Sequence, residues 1–291
     1  MKNLKFAFFG TPEVASKTLE ILKEAGYIPA LVVTSPDRPK GRKMIVAPPP
    51  VKIWAEKNGV PCLQPEKPDA EFAEKLSSLA SGGPAGPAGT WDLFIVVAYG
   101  KILPKKILSM PRLGSINIHY SLLPKYRGAS PVESAILSGE TETGVAIQQM
   151  ELKMDSGPIL AVQKMPIGPD ETAPELRERL IKIGGEMLER TLPEIAEGKI
   201  KPEPQDESRA VFCGKISKED GHLDLSDDPV KNYNKFRAYA EWPRTFFFQD
   251  GKRIVITKAA LSDGKFEIQK VIPEGKKEMA YEVFRKINTS R

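Results

Sequence analysis

The run Trp91–Gly100, WDLFIVVAYG, constrains the fold more than any other stretch of this 291-residue chain. It is the most hydrophobic strand-like segment, and its apolar residues do not alternate with polar ones. A strand of that kind must be covered on both faces, as at the centre of a parallel sheet flanked by helices. The chain around it alternates between two periods. KFAFFG reads as a first strand ending at Gly10. TPEVASKTLEILKEAG reads as a helix, with Thr11 as N-cap and Pro12 in the first helical position. YIPALVVTS is a strand, VKIWAEKNG a short helix, PCLQP an edge strand and PDAEFAEKLSSLA a helix. After the central run come KKILSM, a short helix, and GSINIHYS, a further strand. This order predicts an open, doubly wound α/β sheet.

TGVAIQQME and GPILAVQKMPI read as a hairpin extending that sheet. TAPELRERLIKIGGEMLERTLPEIAEG is a long amphipathic helix, with Leu176, Leu180, Ile183, Met187 and Leu188 at helical spacing. KPEPQDESRA, rich in proline and charge, reads as a linker. Beyond it, PRTFFFQDGKRIVITKAAL holds a DG turn between two β-rich runs, and KFEIQKVIP adds a strand. The expected organisation is a catalytic domain over residues 1–201, a linker over 202–208 and a small, mostly β domain over 209–291. SGGPAGPAG, Ser81–Gly89, reads as a flexible loop.

Several classes of function are disfavoured. No apolar run approaches the roughly 20 residues that cross a bilayer, so no membrane partner is expected. The N-terminal apolar run lacks a small-residue cleavage site and leads straight into strand, turn and helix; a cytoplasmic protein is expected. Cys62 and Cys213 stand alone, and there are only two histidines, so no metal is expected. FFGTPEVA carries one glycine where a dinucleotide turn needs G-x-G-x-x-G, which disfavours NAD; no P-loop is present for ATP. The net charge of +5 arises beyond residue 208, and between Ser35 and Lys52 five basic residues stand against Asp37 alone. Two basic areas on an otherwise balanced chain suit a polyanionic partner.

The candidate site lies in INIHYSLLPKYRGASPV, Ile116–Val132. Ligands of open α/β sheets bind beyond the carboxyl ends of the strands. Strand alternation puts Ile116 and Ile118 on one face and Asn117 and His119 on the other. An amide and an imidazole side by side at that end offer fixed donors for a developing oxyanion. In the turn that follows, Ser121 is a possible donor, Leu122 and Leu123 can wall an apolar slot, Pro124 stiffens the chain and Gly128 permits a positive φ. Asp155, in LKMDSGPIL, supplies a carboxylate; beside a histidine it favours the charged donor and can pass a proton through water.

GSINIHYSLLPKYRGASPV, MDSG, FFGTPEVA and VVAYGKILP together resemble the 10-formyltetrahydrofolate-dependent formyltransferases. The resemblance implies catalytic roles for Asn117, His119 and Asp155, and a tetrahydrofolate-binding segment at Ser121, Leu122, Leu123 and Pro124. It implies a Rossmann-like formyl transferase domain followed by a reduced OB-like C-terminal domain, with 10-formyltetrahydrofolate as co-substrate and no metal. TSPDRPKGRKMIVAPPPVK, KISKEDGHLDLS, EWP and VIPEGKKEMAYEVF resemble the branch whose acceptor is methionyl-initiator tRNA. There the basic, proline-rich loop meets the acceptor stem, which assigns Arg38, Lys40, Arg42 and Lys43 to tRNA. A monomer is expected. A rival acceptor within the family is an amino-sugar nucleotide. The chain departs from the family in its short C-terminal segment, in Ser81–Gly89 and at Tyr120, which is expected to alter the rim of the site.

Overall fold

The structure is a computed structural model that describes residues 4–41, 44–80 and 90–289. The strands, in chain order, are β1 (Phe6–Gly10), β2 (Leu31–Val33), β3 (Arg38–Lys40), β4 (Ile45–Ala47), β5 (Cys62–Leu63), β6 (Leu93–Val97), β7 (Ser115–His119), β8 (Arg127–Gly128), β9 (Glu142–Gln149), β10 (Ile159–Pro166), β11 (Phe212–Cys213), β12 (Phe246–Gln249), β13 (Lys252–Ser262), β14 (Lys265–Pro273) and β15 (Met279–Ala280). The helices are α1 (Glu13–Glu24), α2 (Pro50–Lys57), α3 (Ala70–Ala80), α4 (Lys105–Leu108), α5 (Pro131–Leu137), α6 (Ala173–Ala196), α7 (Pro229–Ala238) and α8 (Tyr281–Thr289). Two compact units emerge. One comprises residues 1–127, 144–164 and 179–210, the other 128–143, 165–178 and 211–291.

The first unit is built on a seven-stranded sheet in the order β10-β9-β7-β6-β1-β2-β5. β1, β2, β5, β6 and β7 run parallel, and β9 joins β7 antiparallel. All five residues of β6 are buried, as the unbroken apolar run requires. On one face Phe9, Leu31, Val33, Phe94 and Val96 pack with Phe72, Leu76 and Trp91. On the other, Ile118 lies under α6, where a Cβ added to Gly184 would come 3.3 Å from it. Gly10 has no room for a side chain: a Cβ there would fall 2.5 Å from that of Ala15. The lone glycine of FFGTPEVA therefore brings strand and helix together.

Local chemistry explains the element ends. The Thr172 N–H and hydroxyl both donate to Glu175, at 2.9 and 2.6 Å, so the Glu175 carboxylate reaches back to the start of α6 as in one half of a capping box. In α1 the cap differs from expectation by one position. Pro12 is the extended residue before the helix, and no side chain caps it. The Thr11 hydroxyl instead lies 3.1 Å from both the Tyr99 carbonyl and the Ser35 hydroxyl, so a tertiary contact takes the place of the local one. The stretch read as a linker is also engaged. Glu203 forms an antiparallel bridge with Ile159, with N–H···O distances of 2.8 and 2.9 Å.

The second unit holds a four-stranded antiparallel sheet, β12-β13-β14-β15. Leu223, Phe247, Ile254, Ile256, Val271 and Phe284 form its core. Both long hairpins turn on Asp-Gly pairs: Asp250 and Gly251 at φ 51° and 73°, Asp263 and Gly264 at 48° and 71°. Two positive φ values in a two-residue loop define the type I′ turn that matches strand twist. The second turn joins β13 directly to β14. β8 and β11 form a separate two-stranded pair. No helix among the described residues is long and apolar enough to cross a membrane.

Candidate active site

β7 ends at His119, beyond which the chain turns over the carboxyl end of the sheet. Asn117 is half-buried and stands opposite Gln148 of β9 in register; His119 stands opposite Ala146. Cross-strand partners share a face, so Asn117, His119 and Gln148 point to the same side. The His119 ring is buried. Its Nε2 lies 2.8 Å from the Tyr126 carbonyl oxygen, and since a carbonyl only accepts, Nε2 carries a proton. Its Nδ1 faces Asp155 Oδ2 at 3.7 Å, too long for a direct hydrogen bond.

The 120–128 turn is shaped by its own side chains. The buried Ser121 hydroxyl donates to the Lys125 carbonyl at 2.5 Å and so closes the turn. Leu122 packs toward Gly144, where an added Cβ would meet its Cδ2 at 2.5 Å. Leu123 is buried, and the Leu123–Pro124 peptide is cis. Gly128 adopts φ 126°, and a Cβ there would lie 2.0 Å from the Cys213 carbonyl oxygen. Tyr120 corrects the expectation of an altered rim. It follows His119 and so points to the opposite face, buried beneath Gly184 of α6, 3.3 Å from where a Cβ there would stand. At the end of the neighbouring β6, Ala98 holds φ 45°, a conformation costing about 1–3 kcal/mol that recurs at functional sites.

Asp155 sits at φ 50° in the turn after β9. Its Oδ1 accepts from the Gln148 amide at 2.9 Å. Behind it lies a group of residues that sequence reasoning missed. The Gln205 amide nitrogen donates to the carbonyls of Asp155 and Gly157, at 2.9 and 2.7 Å, and lies 3.3 Å from Gln148 Oε1. The fully buried Arg127 donates to Gln205 Oε1 from Nε and Nη2, at 3.0 and 2.8 Å. Arg127 Nη2 also pairs with Glu207 at 2.7 Å, and Lys153 reaches the same carboxylate at 2.5 Å. The Arg127 and Lys153 hydrogen bonds lower the Glu207 pKa to about 2. The one signal available was the polar run QDE in a linker, which taken alone reads as solvated charge.

The basic loop is a short hairpin, β3 paired antiparallel with β4. Arg38 opens β3 and is ion-paired with Glu66 at 2.5 Å, both partners exposed. Lys40 ends β3; Arg42 and Lys43 lie outside the described residues, as does Ser81–Gly89. No group of three or more His, Cys, Asp or Glu among the described residues could hold a metal ion.

A half-buried amide and an imidazole at the carboxyl edge of a parallel sheet, with a carboxylate facing the ring, define a site suited to group transfer through an oxyanion. Residues 4–192 match the formyl transferase family, and residues 215–276 its C-terminal domain. The chain belongs to the formyl transferase family. The methionyl-tRNA formyltransferase of Geotalea uraniireducens is 40% identical over 276 residues, 95% of this chain and 85% of that protein. That of Synechococcus sp. is 42% identical over 261 residues, covering 88% and 77%. Among solved structures, WlaRD, a sugar 3N-formyl transferase solved in the presence of dTDP and 5-N-formyl-THF, matches with TM-score 0.65 at 20% identity, over 90% of this chain and 87% of its own. The methionyl-tRNA formyltransferase from Clostridium thermocellum matches with TM-score 0.58 at 15% identity, covering 93% and 98%. These two likenesses show the shared fold.

Proposed function

We propose that the protein transfers the formyl group of 10-formyltetrahydrofolate to the α-amino group of methionyl-initiator tRNA. The observation that carries this reading is about 40% identity, over most of both chains, to methionyl-tRNA formyltransferases. The sugar formyltransferases share only the fold, at 16–20% identity. The site geometry supports the chemistry. The α-amine attacks the formyl carbon, a C–N bond forms, and a tetrahedral oxyanion results. Collapse breaks the bond to N10, which takes up a proton as the amine gives one up.

In this reading Asn117 donates to the oxyanion, and His119 does so from Nδ1, since its Nε2 is engaged by the Tyr126 carbonyl and the 3.7 Å to Asp155 leaves room for the reacting group. Asp155 holds the imidazole and relays the amine proton through water. The folate lies against the turn formed by Ser121, Leu122, Leu123 and Pro124, where Leu122 offers apolar surface and the engaged Ser121 hydroxyl keeps the turn's shape. Arg38, Lys40, Arg42 and Lys43 meet tRNA phosphates. The Arg38–Glu66 pair is exposed on both sides, and such pairs contribute little, so Arg38 can exchange its partner for a phosphate at small cost. The catalytic unit then corresponds to residues 1–201 and the tRNA-binding segment to 209–291, in a cytoplasmic enzyme.

The test is a choice of acceptor. Purified protein with 10-formyltetrahydrofolate is offered methionyl-initiator tRNA or an amino-sugar nucleotide. Formyl-methionyl-tRNA is expected; transfer to the sugar amine alone would refute the reading.

A further inference from the structure

Asp155 is the least securely held member of the proposed site by its own sequence. It stands in a turn at φ 50°, with exposed residues before it. Yet its position decides whether the carboxylate faces His119. Its Oδ1 is fixed by Gln148, and the backbone on either side of Ser156 is fixed by one side chain, Gln205, through the carbonyls of Asp155 and Gly157. Gln205 comes from a segment 50 residues further along the chain.

An amide can present either end. If the ends were exchanged, an oxygen would face two carbonyl oxygens, and the turn would lose its hold. Arg127 excludes that arrangement. Its guanidinium only donates, and it directs two N–H groups at the Gln205 oxygen. The amide nitrogen must then point at the Asp155 turn. Arg127 is fully buried, and Glu207 balances its charge. Gly157 lets the turn close, since a Cβ there would come 1.7 Å from the Gln149 carbonyl oxygen.

We infer that Gln205, oriented by Arg127, is a positioning residue that sets the Asp155 carboxylate against His119. The inference rests on the catalytic reading of Asp155 given above. Gln205 touches neither the imidazole nor the reacting atoms, so its removal acts on the chemical step and leaves substrate binding alone.

The experiment compares Gln205→Met, Asp155→Asn and the double variant with wild type. kcat and both KM values are measured, with thermal unfolding as a check on folding. Gln205→Met is expected to lower kcat by about tenfold or more, toward the ~100-fold that a 1 Å misplacement costs, with both KM values unchanged. In the Asp155→Asn background the same substitution should add little, because residues acting as a unit do not compound. If Gln205→Met does not fold, Gln205→Glu replaces it. That variant keeps the acceptor for Arg127 but sets an oxygen where the amide donated, and the same kcat loss is expected. Wild-type kcat in a folded Gln205 variant, or losses that multiply in full with Asp155→Asn, would overturn the positioning role while leaving the catalytic reading intact. Full activity of Asp155→Asn would bring down the catalytic reading, and the positioning role with it.

Discussion

The buried His119 ring is held at Nε2 by the Tyr126 carbonyl, at 2.8 Å, and its Nδ1 faces the Asp155 carboxylate at 3.7 Å. That fixes the ring plane, so Asn117, on the same face and two residues earlier, keeps a constant relation to it. A donor held this way costs no reorganisation when the oxyanion forms. Asn117→Ala is therefore expected to lower kcat about 10²–10³-fold, with little change in folate affinity, as read in steady-state assays. At this scale the sequence was legible wherever one rule sufficed. Period-2 alternation aimed Asn117 and His119 together, and the same rule places Tyr120 on the far face, although its neighbourhood to His119 in sequence suggested the rim. Gln148, Arg127 and Gln205 were illegible because their roles arise from contacts across 7 to 78 residues. No local pattern encodes such distances.

Among elements, turns carry more of the site than strands do. The turn around Asp155 depends on Gly157. Gly157→Ala is expected to destabilise the protein by about 1–3 kcal/mol in urea unfolding, by overpacking, and to lower kcat as Asp155 moves. The central strand behaves otherwise. Phe94 is fully buried and packs against Phe9 and Trp91, with ring centroids 5.0 and 5.9 Å away. Phe94→Ala is expected to cost about 3–5 kcal/mol in the same measurement. Elements with strong local chemistry could be read in advance: the unbroken apolar β6, and the Asp-Gly pair joining β12 to β13. The α1 cap could not, because Thr11 spends its hydroxyl on Tyr99 and Ser35. Nor could the docked 203–207 segment, whose composition is that of a linker but whose backbone pairs with Ile159.

For the molecule as a whole, charge supplies two expectations. Basic residues exceed acidic ones beyond residue 208 and in the β3–β4 region. If these neutralise phosphates, KM for tRNA should rise steeply as salt increases, while KM for folate stays flat. The Glu207 carboxyl has its pKa lowered from an ordinary 4.5 to about 2, so its pairing with Arg127 and Lys153 stabilises the fold above pH 4.5. That contribution is expected to fade as pH falls toward 2, and Glu207→Gln should flatten this part of an acid-unfolding profile. Fold, site and tRNA acceptor meet in one reaction. It is tested most directly by single-turnover transfer from 10-formyltetrahydrofolate to methionyl-initiator tRNA, with wild-type protein and His119→Ala side by side. Formyl-methionyl-tRNA should form with the wild type and about 100-fold or more slowly with the variant. Equal rates in the two proteins, or no formylated tRNA from the wild type, would contradict the account.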